Sequence, residues 1–319
     1  MAELNWTDAQ WQKINDAVTE AFGKASVASA FLPMYGPLAG SAEVVRNELL
    51  KQDPNRSPPT ISLDKDHSDV NVKLVNLTVN VELSSEQVAD ETLSNALLAF
   101  RRAGNILAVE EDRVVFEGFS QGPQGIKSVY VANNPDPQRG LADLPSRVNH
   151  FKSLSAGALT RGQAAVKAVI SAIHRLEDKF NPAPFACVLG NLLFEEVHDP
   201  TLALVMPADR IIPLLKGGPL LRSGQMDDGA GIVVSLSGNA VDIVVGTPPT
   251  VQFLQRTIEA KFLFRVYERF ALRVRDHANP PVAGFRIGLT GQQRAVEQGE
   301  LDLAAAQQIA AAAKQSSNF

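Results

Sequence analysis

The sequence has one cysteine, five histidines in no ligating arrangement, few aromatic residues and no long apolar run, and each scarcity removes a class of function. With Cys187 alone, neither an intrachain disulfide nor a thiolate metal cage can form, and a reducing intracellular compartment is expected. Its flanks, Phe185-Ala186-Cys187-Val188-Leu189, read as a buried strand, so the thiol is expected to be an inert core group. His67, His150, His174, His198 and His277 show no H-x-x-x-H or H-E-x-x-H spacing that would bring two ligands to one helix face, so no metal site is expected within one chain. Asp227-Asp228-Gly229 lacks the remaining oxygen ligands of a calcium loop and reads as a turn.

No window approaches the roughly 18 uninterrupted apolar residues of a membrane span. The stretch Met1-Ala2-Glu3-Leu4-Asn5-Trp6 has no basic segment leading into an apolar one, so a secretory signal is not expected and the location reads as cytoplasmic. A formal net charge of −5 argues against a nucleic-acid partner, because such proteins concentrate Lys and Arg against phosphates. What is present is an ordinary globular composition, 45% hydrophobic and 20% charged, over 319 residues, enough for one large or two modest domains with a buried core.

Three capping boxes announce helices: Thr7 with Gln10, Ser84 with Gln87 and Thr160 with Gln163. After the first, Trp11, Ile14, Val18, Phe22 and Ala25 repeat at helical spacing until Pro33, with a sharp turn at Gly36-Pro37. The second opens a long helix through Ala89, Leu93, Ala96, Leu97 and Phe100, with Gly104 as a candidate interruption. The third precedes Val166, Val169, Ile170 and Ile173, a one-sided helix ending near Lys179.

Extended segments show a period of two. Leu77, Val79, Val81 and Leu83 alternate with polar residues, while Val70, Val72 and Leu74 occupy the opposite register, which predicts a bulge or bend at Val75-Asn76. Together with the irregular stretch from Gly40 to Ile61, which includes Asp53 to Pro59, this makes an extended arm with little to pack against in its own chain. Arg113 to Phe116 is apolar and β-branched and reads as a strand before the glycine-rich region Gly118 to Gly125. A short helix is predicted at Pro207 to Leu215, then a strand Ile232 to Leu236, a hairpin turn at Ser237-Gly238-Asn239 and a return strand Val241 to Val245. From Thr257 to Arg275, Phe262, Phe264, Val266, Phe270, Leu272 and Val274 share one parity against Lys261, Arg265, Arg269, Arg273 and Arg275. That predicts a very long strand, or two joined strands, with a basic outer face. The tail from Leu289 to Phe319 is helix-prone and polar.

Blocks in this order resemble the encapsulin family, whose subunits are similar to major capsid proteins of tailed phages. The blocks are Gln10 to Asn15, Tyr35-Gly36-Pro37-Leu38, Glu110 to Gly118 followed by Gly125-Ile126, Pro184 to Leu189, Lys216-Gly217-Gly218, and Gly231 to Gly246 followed by the long strand through Asn279-Pro280. The resemblance implies an α+β, Hong Kong phage-type capsid fold. Its parts would be an N-terminal helix and turn over residues 1–39, an extended loop over 40–83, a peripheral domain with a spine helix over 84–157, an apical domain over 158–246, a return to the peripheral domain over 247–288, and a tail over 289–319.

The function it implies is a self-assembling, non-enzymatic, icosahedral shell subunit without a cofactor. Such a shell would enclose a cargo enzyme, by analogy a ferritin-like iron oxidase or a peroxidase, captured through a short targeting peptide. The positions that would build an apolar cargo groove are Phe22, Val27, Phe31, Val251 and Phe253. Ser29 and Pro33 stand where the family often carries charge, so shape would dominate recognition. The loop Pro200-Thr201-Leu202-Ala203-Leu204 would line the five-fold pore, and its apolar character implies a selective or gated opening. Two other readings compete. A phage or prophage capsid protein would be expected to carry a long N-terminal scaffolding segment and to package DNA. A serine hydrolase would use Ser120 in Gly118-Phe119-Ser120-Gln121-Gly122, a formal nucleophile elbow that requires a strand before it and a helix after it.

Overall fold

The computed structural model describes residues 4–53, 60–64, 71–118, 130–132, 139–147, 151–155, 159–199 and 205–288. Ser120, the loop 200–204, His67, His150 and the tail 289–319 lie outside the described residues.

All three capping boxes form. Thr7 starts helix α1 (Asp8–Ala25), Ser84 starts α2 (Ser85–Ala89) and Thr160 starts α5 (Arg161–Glu177). The second box does not open the long helix. After α2 the chain breaks, Leu93 takes a left-handed conformation at φ 57°, and the spine helix α3 runs from Ser94 to Glu117. Asp90 accepts hydrogen bonds from the backbone N–H groups of Thr92 and Ser94, which stabilises the break in place of a continuous helix.

Gly104 does not interrupt α3. It is where α1 crosses α3, and a Cβ there would lie 2.8 Å from the Val18 carbonyl oxygen. The segment Arg113–Phe116, read as a strand from its β-branched residues, is the last turn of α3. Val114, Val115 and Phe116 are buried, so tertiary burial overrides their weak local preference for strand.

Two five-stranded sheets organise the rest. The first has the order β1 (Met34–Tyr35), β12 (Val241–Arg256), β13 (Phe262–Val274), β6 (Val75–Leu83), β7 (Tyr130–Ala132). The second has the order β10 (Leu220–Arg222), β9 (Phe185–Leu189), β11 (Ala230–Ser235), β14 (Val282–Gly288), β8 (Phe151–Ser155). Helices α1 and α3 pack on the first sheet and share its core, which includes Ile14, Val18, Phe22, Phe100, Phe116, Phe264 and Val266. Helices α5, α6 (Asn191–His198) and α7 (Pro207–Ile211) cover the second, around Val169, Leu176, Phe185, Leu193 and Phe285. The remaining helix, α4 (Leu144–Arg147), is a single turn.

The hairpin expected at Ser237-Gly238-Asn239 does not form, because β11 and β12 belong to different sheets. That turn carries the chain between them, and β14 carries it back. Residues 158–246 and 247–288 therefore each contribute strands to both sheets. The long strand expected within Thr257 to Arg275 forms as β13, a single strand of 13 residues, which pairs antiparallel with β12 from Val241↔Val274 to Arg256↔Phe262 across a turn at Thr257 to Ala260.

The arm residues include four short strands, β2 (Val44–Arg46), β3 (Leu49–Asp53), β4 (Thr60–Asp64) and β5 (Asn71–Lys73), before β6. The bend expected near Val75 falls at Leu74, which separates β5 from β6. β2 pairs with β5 and β3 with β4, as two antiparallel ladders.

Candidate functional site

The base of the arm is packed against its own chain, contrary to the expectation that it finds little there. Val45 and Leu74 bury against Val244 and Ala271 on the face of the first sheet that carries the arginines. The basic face of β13 is therefore only partly outer. Arg269 donates to the carbonyls of Gly40 and Ala42, and Arg273 is 5% exposed. Arg273 forms two parallel bonds with its cross-strand partner Asp242, Nε to Oδ1 at 2.8 Å and Nη2 to Oδ2 at 2.5 Å. Arg275 reaches the same carboxylate at 3.3 Å. The Arg273 guanidinium also lies 4.7 Å from the Tyr35 ring centroid and donates to the Arg46 carbonyl. Asn47 Nδ2 donates to the Val274 carbonyl, and Leu50 N–H to that of Arg275. Beyond this anchorage the β3–β4 ladder is uncovered, with Ile61 68% and Leu63 50% exposed.

The five positions proposed for a cargo groove all belong to or pack against the first core, Val27 and Phe31 beyond the end of α1 and Val251 and Phe253 on β12. The amide of Val251 on β12 donates to Asn15 Oδ1 on α1 at 3.0 Å. Phe22, Phe31 and Val251 are buried, with Phe31 stacked on Phe116 at 6.4 Å, while Val27 and Phe253 are half-buried. Phe253 packs against Phe262 and Phe264. Val27 and Phe253 are thus the more accessible of the five.

Against the chain just past the end of α1, at Ser26 to Ala28, lies a carboxyl cluster that the sequence reading did not single out. Glu111 and Asp112 from α3 and Glu268 from β13 are 2–3% exposed. Ser26 Oγ donates toward Glu111 at 3.0 Å and Asp112 at 3.3 Å, and Asp112 also accepts from the Val27 and Ala28 amides. Burial, reinforced by the charge of Asp112 alongside, pushes the Glu111 carboxyl up to about 8, with Ser26 opposing. Burial pushes Asp112 up to about 6 against the Ala28, Val27 and Ser26 donors. Glu268 is held well above the ordinary carboxylate range by burial, then by Glu111 and Asp112. A signal existed for Glu268, because it shares the parity of Phe262, Phe264 and Val266 and so had to point inward.

The nucleophile-elbow reading fails on its approach: the residues leading into Gly118 are helix α3, where that motif needs a strand. Among the described residues no group of three or more His, Cys, Asp or Glu side chains could hold a metal ion. Cys187 is fully buried and its thiol is pushed up to about 12 by burial, which agrees with an inert core role. Among the described residues no helix is long and apolar enough to cross a membrane. Lys216-Gly217-Gly218 forms the tight turn its glycines suggest. Gly217 adopts φ 93°, and a Cβ on Gly218 would collide with the Phe185 carbonyl of β9.

A spine helix and N-terminal helix on one sheet, a second helix-covered sheet, and an arm anchored at the first sheet's face together describe a capsid-type fold. Solved structures agree on the fold. A virus-like particle from Pyrococcus furiosus superposes with a TM-score of 0.64 at 14% identity, over 88% of this chain and 100% of that one. The Microbacterium phage Oxtober96 structure gives 0.57 at 13% identity, covering 83% and 91%. The capsid of Myoviridae phage XM1 gives 0.52 at 14%, covering 80% and 88%.

The particular family follows from sequence. The family model Linocin_M18, encapsulating protein for peroxidase, matches residues 2–271, and the chain belongs to this encapsulin family. A type 1 encapsulin shell protein of Rhodospirillum rubrum is 25% identical over 264 residues, spanning 80% of this chain and 85% of that protein.

Proposed function

We propose that the chain is the self-assembling shell subunit of a nanocompartment that encloses a cargo protein, and that it does this work without a catalytic residue of its own. The observation that carries the reading is the arm. Its base is fastened by Arg273, Asp242 and Asn47, yet its β3–β4 ladder presents Ile61 and Leu63 to solvent. Uncovered strands with apolar side chains are an aggregation hazard unless another copy covers them, and a closed assembly of identical copies supplies that cover. The match to the shell family supports the same reading.

Cargo would dock on the shell interior through a short peptide read mainly by shape, with Val27 and Phe253 as the more accessible of the five apolar positions. The loop 200–204 would line an apolar pore. Assembly would take place in the cytoplasm, with cargo a peroxidase or a ferritin-like protein. Electron microscopy of the purified protein tests the central reading: uniform closed particles are expected, and a field without particles contradicts it. Val27→Asp with Phe253→Asp should give empty particles that no longer co-purify with cargo. Full cargo retention in that variant would remove the docking patch.

A further inference from the structure

The carboxyl cluster beneath the N-terminal elbow has no part in assembly or cargo capture as described, and its geometry is that of a fastening. Ser26 ends α1, its own amide donating to the Phe22 carbonyl, and the chain then turns through Val27 and Ala28 into a short 3-10 turn, Ala28–Ala30. Every polar contact described for this elbow toward the spine helix runs to two acids. Ser26 Oγ meets Glu111 and Asp112, and the Val27 and Ala28 amides meet Asp112 at 2.9 and 2.8 Å. Glu268 closes the cluster from β13, and its Oε1 is buried without a hydrogen-bond partner.

The groups around it do not neutralise it. On α3, Glu110 is paired with Arg113 at 3.4 Å, and Arg113 Nε also donates to Gln225. β6 places Leu77 beside Glu268, and the next residue of β13, Arg269, is bound to the arm carbonyls of Gly40 and Ala42. Among the described residues, no basic side chain is hydrogen-bonded to, or within 4.0 Å of, the carboxylates of Glu111, Asp112 or Glu268. Three adjoining carboxylates cannot all be ionised in a site closed to water, because mutual repulsion adds to the loss of hydration.

We propose that Glu111, Asp112 and Glu268 form a proton-dependent latch, which holds the elbow Ser26–Ala28 against the spine helix while the trio retains protons and releases it as they are lost. The direction follows from linkage. Carboxyls freed into water by opening have ordinary acidity, whereas in the closed state they hold protons to higher pH. Opening therefore becomes more favourable as pH rises from the ordinary carboxylate range toward about 8. The released segment carries Val27 and Phe31. Its bearing on cargo rests on the reading above, whereas the test below reads the latch alone.

Amide exchange of the assembled full-length protein, followed in peptides covering residues 22–31 and corrected for intrinsic chemistry, reports the opening equilibrium directly. Between about pH 5.5 and 8 it should rise by roughly tenfold per pH unit for each proton released. Glu268→Gln keeps the shape and removes one acid that makes no bond to the elbow. It should reduce that dependence by about tenfold per pH unit, as should Glu111→Gln if the first variant does not fold. An opening equilibrium independent of pH in the unmodified protein overturns the latch. So does the same pH dependence in a folded variant.

Discussion

The fastening of the arm makes a quantitative prediction at Asp242 and Arg273. Both side chains are 6% exposed, joined by two parallel bonds, so removing one strips the other of its main partner. Breaking such a pair costs about 3–5 kcal/mol, a large part of the roughly 5–15 kcal/mol that holds a typical domain folded. The two losses should be unequal. Arg273→Met leaves Asp242 with Arg275 at 3.3 Å, so about 2–3 kcal/mol is expected. Asp242→Leu strands Arg273 with only the Tyr35 ring and the Arg46 carbonyl, so the cost should reach the upper part of the range. The double variant should be more stable than Asp242→Leu alone, with a coupling of about 2 kcal/mol or more. Guanidinium unfolding followed by tryptophan fluorescence measures all four proteins. Limited proteolysis across residues 49–64 should show the arm cut faster in Arg273→Met, because the Arg46 carbonyl loses its donor. Equal single losses that simply add, with unchanged cleavage of the arm, would refute the reasoning.

Three further outcomes follow from other parts of the molecule. Gly104→Ala drives a methyl group against the Val18 carbonyl at the α1–α3 crossing and should cost about 1–3 kcal/mol, read as a lowered unfolding midpoint. Cys187, with its thiol pushed up to about 12 inside the second core, should resist maleimide at pH 8 in folded protein and react fully in denaturant. Leu202→Ser and Leu204→Ser should increase small-ion entry into assembled particles, and an unchanged entry rate would remove the loop 200–204 as the pore lining.

Much of the fold was legible because its signals are local. The capping boxes at Thr7, Ser84 and Thr160 need only a few neighbouring residues to form, and all three do. The alternation of β6 and the apolar run of β9 likewise survived intact. The misreadings came from interactions the local sequence cannot carry. Val114 and Val115 favour strand by themselves, yet burial beside Phe31 and the first core keeps them helical. Ser237-Gly238-Asn239 has hairpin chemistry, but the partners of β11 are β9 and β14, each about fifty residues away along the chain. Arg269 and Arg273 of β13 looked solvent-facing because the arm residues they bind lie more than two hundred residues earlier. At the candidate site, resemblance supplied the five positions, while the burial of Phe22, Phe31 and Val251 depends on packing within the first core. Glu268 was the readable exception, an acid on the apolar parity of its strand.

The central claim is that identical copies cover the exposed arm. Light scattering coupled to size-exclusion chromatography at micromolar concentration tests it most directly. The account predicts a single species many times the 34.3 kDa of one chain, and a stable species at 34.3 kDa would contradict it.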